Sequence, residues 1–126
     1  MEKIQILKDT PNGNGQIDAV SFIEEHYPET AKEFKKIQEE QYETFCKKQM
    51  DYGPSNISMG TGVGKSVDKK LATTALVIRI NDKIQRLLNL VLDRRDPQNE
   101  SIDDNLIDIA NYAVMALLVR GKEWGK

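Results

Sequence analysis

Carboxylates at helical spacing are the first residues in this chain that could do chemistry. Between Ser101 and Gly121, the residues Asp104, Asp108, Asn111 and Met115 share one narrow face at helical periodicity. Around them sit Leu106, Ile107, Ile109, Ala110, Ala113 and Val114. An ionised carboxylate in such surroundings is costly unless it meets a cation or a hydrogen-bond donor. Asp104 and Asp108 therefore read as metal or substrate ligands one turn apart, or as first-turn carboxylates favoured by the helix dipole. The dipole suits Asp103 and Asp104 better than Asp108, which lies a turn further in.

Glu40 and Glu43 form a second pair. Carboxylates at i and i+3 stack on one side of a helix, close enough to serve one divalent cation. They also lie opposite an apolar stripe of Ala31, Phe34, Ile37, Tyr42 and Phe45, where charged pairs are usually a solvated face. If Asp104 and Asp108 faced them across a cleft, the four would make an oxygen-rich site for magnesium or manganese. Residues 65–95 carry eight Lys/Arg against three Asp, with Arg79, Lys83 and Arg86 on one face and Asp82 beside them. Acidic ligands flanking a basic face suit metal-bound polyphosphate. The alternative is a solubilising surface tied by salt bridges.

Other motifs carry less. Gly60-Thr61-Gly62-Val63-Gly64-Lys65-Ser66 ends like a P-loop, but Met59 stands where its first glycine belongs and no strand precedes it. Lys65 and the backbone amides there could still touch an anion at a helix start. His26 and Cys46 have no visible catalytic partners and read as a surface or capping histidine and a half-buried thiol. One cysteine excludes an internal disulfide, and one histidine excludes a multi-histidine metal centre.

The elements that must position these residues are helical. A chain of 126 residues with 39% apolar and 30% charged content fits one domain and is too apolar for disorder. Its net charge of −2 gives no global grip on phosphate backbones, so no direct duplex nucleic acid is expected. Apolar runs are too short to span a membrane, and Met1-Glu2-Lys3-Ile4-Gln5 lacks a signal-peptide core.

Residues 1–28 read as a peripheral arm. It holds a short strand at Lys3–Leu7, a turn at Pro11–Gly15, and a short helix from Asp18 to His26 ended by Pro28. The first long helix runs from Pro28 to about Met50, broken by Asp51-Tyr52-Gly53-Pro54-Ser55-Asn56. The second, N-capped by Ser66, runs to about Leu92 with Leu76, Ile80, Ile84, Leu87 and Val91 on its apolar face. The third opens on the capping box of Ser101 and Asp104 and ends at Gly121; it is expected to be the most buried. The class is thus all-α: a helical domain over 29–121 and a tail over 122–126, whose Trp124 packs back or serves a subunit contact. A bundle of three long helices leaves apolar faces uncovered, so a homo-oligomer, dimer or tetramer, is expected to complete it.

Three blocks carry a family resemblance. They are Lys48-Gln49-Met50-Asp51-Tyr52-Gly53, the run Arg79 to Leu87, and Glu100-Ser101-Ile102-Asp103-Asp104 through Asp108-Ile109-Ala110-Asn111-Tyr112. Over residues 30–121 the chain resembles the nucleotide modification associated domain 1 family, common in bacteriophages and prophages. That family is in turn similar to the all-α nucleoside triphosphate pyrophosphatases of the MazG and dimeric dUTPase group. Those bind magnesium through Glu-x-x-Glu and Glu-x-x-Asp. Here Glu40 and Glu43 match the first half; Asp108 ends the second, but Asn105 stands where its glutamate belongs, so Asp104 would substitute.

The resemblance implies a magnesium-dependent (or manganese-dependent) pyrophosphohydrolase in the bacterial host's cytoplasm, turning a nucleoside triphosphate into monophosphate and pyrophosphate. Glu40, Glu43, Asp104 and Asp108 would hold the metal. Lys47, Asp51, Tyr52, Arg79, Lys83, Arg86 and Asn111 would bind the nucleotide. The imperfect second motif leaves open a nucleotide-binding protein without turnover, such as a sponge for a modified or signalling nucleotide, or a purely structural helical oligomer.

Overall fold

Short-range chemistry sets where each helix starts and stops. The computed structural model describes residues 18–57 and 66–126, and these are helical without a strand. The expected strand at Lys3–Leu7, the turn at Pro11–Gly15 and the glycine-rich loop from Gly60 lie outside the described residues. The chain divides into two compact units, Met1–Glu40 and Gln41–Lys126. That division falls inside a long helix.

In the first unit, helix α1 spans Ala19–His26 and is N-capped by Asp18, whose side chain accepts from the backbone N–H of Val20 at 3.1 Å. His26 caps the other end: its Nδ1 lies 2.9 Å from the Phe22 carbonyl, and its ring stacks on Phe22. Helix α2 begins at Pro28, where a missing N–H costs nothing, and runs to Tyr52 across the boundary between the units. Lys35 and Glu24 tie its first part to α1. It stops because Gly53 turns left-handed, at φ +77°, while its N–H still reaches the Gln49 carbonyl.

The second unit is built on two helices, α3 (Ser66–Asp93) and α4 (Ile102–Arg120), which pack along each other. Ser101 caps α4 by accepting from the N–H of Asp104 at 3.0 Å, as the capping-box signature implies. Both helices end in the same six-residue closure. After α3, Arg94 turns to φ +52° while Arg94 and Arg95 donate to the Val91 and Leu90 carbonyls. After α4, Lys122 turns to φ +64° while Lys122 and Glu123 donate to Val119 and Leu118. This is the Schellman arrangement, with a cation where glycine is usual. Gly121, the expected terminator, is the cap residue but has an ordinary φ of −82°.

The core is small. Ile57, Ala72, Leu76, Met115, Val119 and Trp124 form one buried cluster, flanked by Phe45, Tyr112, Ala116 and Leu118. Trp124 packs back into this core rather than standing free: its indole N–H donates to the Pro54 carbonyl at 2.8 Å, and its ring meets Phe45 edge-on. Among the described residues α4 contributes more buried side chains than any other helix, while α2 contributes none. Of the apolar stripe read on α2, Phe45 borders this core, while Phe34, Ile37 and Tyr42 are exposed. Cys46 is exposed rather than half-buried. No helix among the described residues is long and apolar enough to cross a membrane.

Candidate functional site

The buried face of α4 is polar where it starts. Asn105, Asp108 and Asn111, at successive steps of three, are all at least nine-tenths buried. Each is satisfied differently. Asn105 sits under α3: its side-chain oxygen accepts from Arg86 at 2.8 Å, and its amide N–H₂ faces the Lys83 carbonyl at 3.4 Å. The Arg86 guanidinium also donates to the Glu100 carbonyl. Asn111 donates to the Gln41 carbonyl on α2 at 3.3 Å.

Asp108 meets charge. One carboxylate oxygen takes the Lys48 ammonium from α2 at 2.7 Å, and the other takes the Lys83 ammonium from α3 at 3.0 Å. Lys83 reaches on to Glu100 at 2.7 Å. Burial opposes the charged form of Asp108, but the two ammonium groups outweigh it and hold the carboxyl below its ordinary value. Asp108 holds Lys48 above its ordinary value in return. Burial pulls on Lys83 the other way, and Glu100 and Asp108 more than restore it. The three residues are therefore a charged, hydrogen-bonded set rather than a neutralised one.

These groups line one pocket of about 380 Å³ in the second unit. Lys48, Arg79 and Lys83 supply its cations, Glu100 and Asp108 its anions, and Phe45, Tyr52 and Tyr112 its rings. Arg79 lies over the Tyr112 ring, 6.0 Å from its centre, and donates to the Asn56 carbonyl at 3.1 Å. Asn56 also lines the pocket, with a buried side-chain oxygen that has no hydrogen-bond partner among the described residues. Such a set of fixed cations beside aromatic faces and amides can hold a phosphorylated, ring-bearing molecule.

Of the residues singled out from sequence, Asp108, Arg79, Lys83, Asn111 and Tyr52 line this pocket. The others are placed elsewhere. Arg86 holds Asn105 and the Glu100 carbonyl. Lys47 pairs with Glu43 along the exposed side of α2 at 2.9 Å. Glu40, Asp51 and Asp104 are exposed. Lys83 is fixed by Glu100 and Asp108.

The four carboxylates considered for a metal do not form a donor set. Among the described residues no three Asp, Glu, His or Cys side chains come together to hold a metal ion, and both oxygens of Asp108 face ammonium groups. The arrangement therefore does not fit a carboxylate-bound cation.

Sequence reasoning passed over Lys48, Phe45, Gln49, Asn56, Glu100 and Tyr112 as site residues. A signal existed for Lys48. Phe45, Lys48, Gln49 and Tyr52 share the i, i+3, i+4, i+7 face of α2, whereas Lys47 pairs with Glu43 one turn back.

Residues 48–119 match the family described as nucleotide modification associated domain 1, which covers more than half of the chain. No curated protein and no solved structure matches it.

Proposed function

The chain belongs to the nucleotide modification associated domain 1 family, and on that premise we propose that its second unit binds a nucleotide in the Asp108 pocket. One observation carries the reading: Lys48, Arg79 and Lys83 converge on a cavity that also presents three aromatic rings. Cations held by buried or half-buried partners keep their positions without a ligand, which lowers the ordering cost of binding an anion. The rings offer stacking faces for a base, and the amides of Asn56 and Asn111 offer polar edges near it.

A second reading keeps turnover. Two carboxylates, Asp108 and Glu100, lie in the same pocket and meet at Lys83. These are the carboxylates that the magnesium-dependent pyrophosphohydrolase implied by the resemblance would draw on, were Lys48 and Lys83 to release them. It would require a donor set other than the present one around Asp108. Self-association belongs to either reading. Val91 and Leu92 of α3 and Leu117 of α4 are more than half exposed, and a second copy would cover such faces.

Two measurements separate the readings. Nucleotide binding raises the melting temperature; at a ligand concentration of 100 Kd the stabilisation is about 2.7 kcal/mol. Pyrophosphate release from ribo- and deoxynucleoside triphosphates is followed with magnesium and with manganese. A melting shift with the nucleotide recovered intact supports the binding protein. Metal-dependent pyrophosphate release supports the hydrolase. No shift and no release across the panel would sink both.

A further inference from the structure

We infer that the pocket is built for a nucleoside monophosphate, held without a metal ion, its single phosphate lying on Lys48, Lys83 and Arg79. This rests on the nucleotide-binding reading above and narrows it to one class of ligand.

The first argument is donor supply. An ammonium group has three N–H donors and a guanidinium has five. Bonds among the described residues use one donor of Lys48, toward Asp108, and two of Lys83, toward Asp108 and Glu100. They use one of Arg79, toward the Asn56 carbonyl. Each of the three cations can therefore still donate to a phosphate without releasing its present partner. Asp108 and Glu100 act as positioning residues: they fix the two ammonium groups from behind.

The second argument is charge. The pocket holds Lys48, Arg79 and Lys83 against Glu100 and Asp108, a small positive excess. A phosphate monoester carries about −1.5 to −2 at neutral pH, which such a set can accept. Every further phosphate adds negative charge beside two carboxylates already in place, and among the described residues no cation beyond Lys48, Arg79 and Lys83 lines the cavity. Metal-bridged polyphosphate would need one or two carboxylates turned to the cation, whereas both oxygens of Asp108 face the Lys48 and Lys83 ammonium groups and Glu100 pairs with Lys83.

The third argument is room. At about 380 Å³ the cavity lies at the small end of ligand clefts. Its rings (Phe45, Tyr52 and Tyr112) and its cations share this one small space. That geometry suits one phosphate on one nucleoside better than an extended chain of phosphates.

Calorimetric titration of the whole chain with mono-, di- and triphosphates of the common ribo- and deoxynucleosides tests this, in EDTA and again with magnesium. The expected result is that, for at least one base, the monophosphate binds about tenfold or more tightly than the matching triphosphate, and equally well in EDTA. Equal or tighter triphosphate binding overturns the inference while leaving the nucleotide reading intact, as does binding that needs magnesium. Absence of binding by every nucleotide overturns both. Lys48 is half exposed, so Lys48→Met is expected to fold, as circular dichroism would check. It should weaken the monophosphate about tenfold or more, the scale of a charge-assisted hydrogen bond. An unchanged affinity removes Lys48 from the phosphate site and overturns the assignment.

Discussion

The two ends of the buried face of α4 are equally hidden from water and chemically opposite. Toward its start the face presents Asn105, Asp108 and Asn111; toward its end it presents Met115 and Val119. The apolar end joins Leu76, Ala72, Ile57 and Trp124 in the one core cluster, where burial itself is the stabilising term. At the polar end, burial is unfavourable until each group finds its partner, and every partner comes from another element: Arg86 and Lys83 from α3, Lys48 and Gln41 from α2. The apolar end thus holds the two helices together, and the polar end fixes the positions of cations around a cavity.

The largest effect is expected at the apolar end. Leu76→Ala empties a fully buried position and should cost about 3 kcal/mol, read as a lower urea midpoint. Nucleotide affinity per folded molecule should hardly change, because Leu76 does not line the pocket. A large loss of affinity with little loss of stability would reverse the proposed roles of the two ends.

At the polar end, Asp108→Ala should cost less stability, about 2 kcal/mol, because Lys83 keeps Glu100 and Lys48 is half exposed. Its effect on binding should exceed that of Leu76→Ala, since both ammonium groups lose the oxygen that positions them. The pH dependence sharpens this. The folded carboxyl lies below its ordinary value of 3.8, so its contribution is complete above that pH and is lost as pH falls through 3.8 and further down. Urea midpoints measured between about pH 2 and 6 should fall less steeply toward acid in Asp108→Asn than in the parent chain. Parallel curves would mean that the ion pairs do not distinguish the folded state.

The smallest effect concerns the helix ends. Lys122 occupies a left-handed position that glycine adopts freely, and a non-glycine residue there is strained by about 1 kcal/mol. Lys122→Gly should relieve part of this, offset by the greater freedom of glycine in the unfolded chain, for a net gain of about 0.5 kcal/mol. A loss would show that the lysine charge near the α4 carbonyls outweighs the backbone strain.

Much of the fold was legible because it is written locally. Pro28 at a helix start, Ser101 as a cap, and the break around Gly53 are each decided by a residue and its immediate neighbours. The site was legible only in part. Periodicity marked Asp108 and Asn111 as polar residues on a buried face, but it could not say that their partners would be ammonium groups and a carbonyl. Arg79, Lys83 and Arg86 share a face of α3, yet Arg86 is taken up by Asn105 of α4 and by the Glu100 carbonyl in the loop before it, partners that helical spacing does not encode. Lys47 and Lys48 are sequence neighbours separated by about 100° around the axis, and the face that Lys48 shares with Phe45 marks it as the one that looks inward, while its partner Asp108 comes only from packing.

The inward-packed tail gives the molecule an optical reporter of its own. Trp124 is the only tryptophan in the chain, and its indole is fixed between the Pro54 carbonyl and the edge of Phe45, a ring that also lines the pocket. Its emission therefore originates one side chain away from the cavity. A ligand that moves Phe45 or dries its surroundings changes the colour or intensity of that emission, so occupancy of the pocket can be followed in the unlabelled protein.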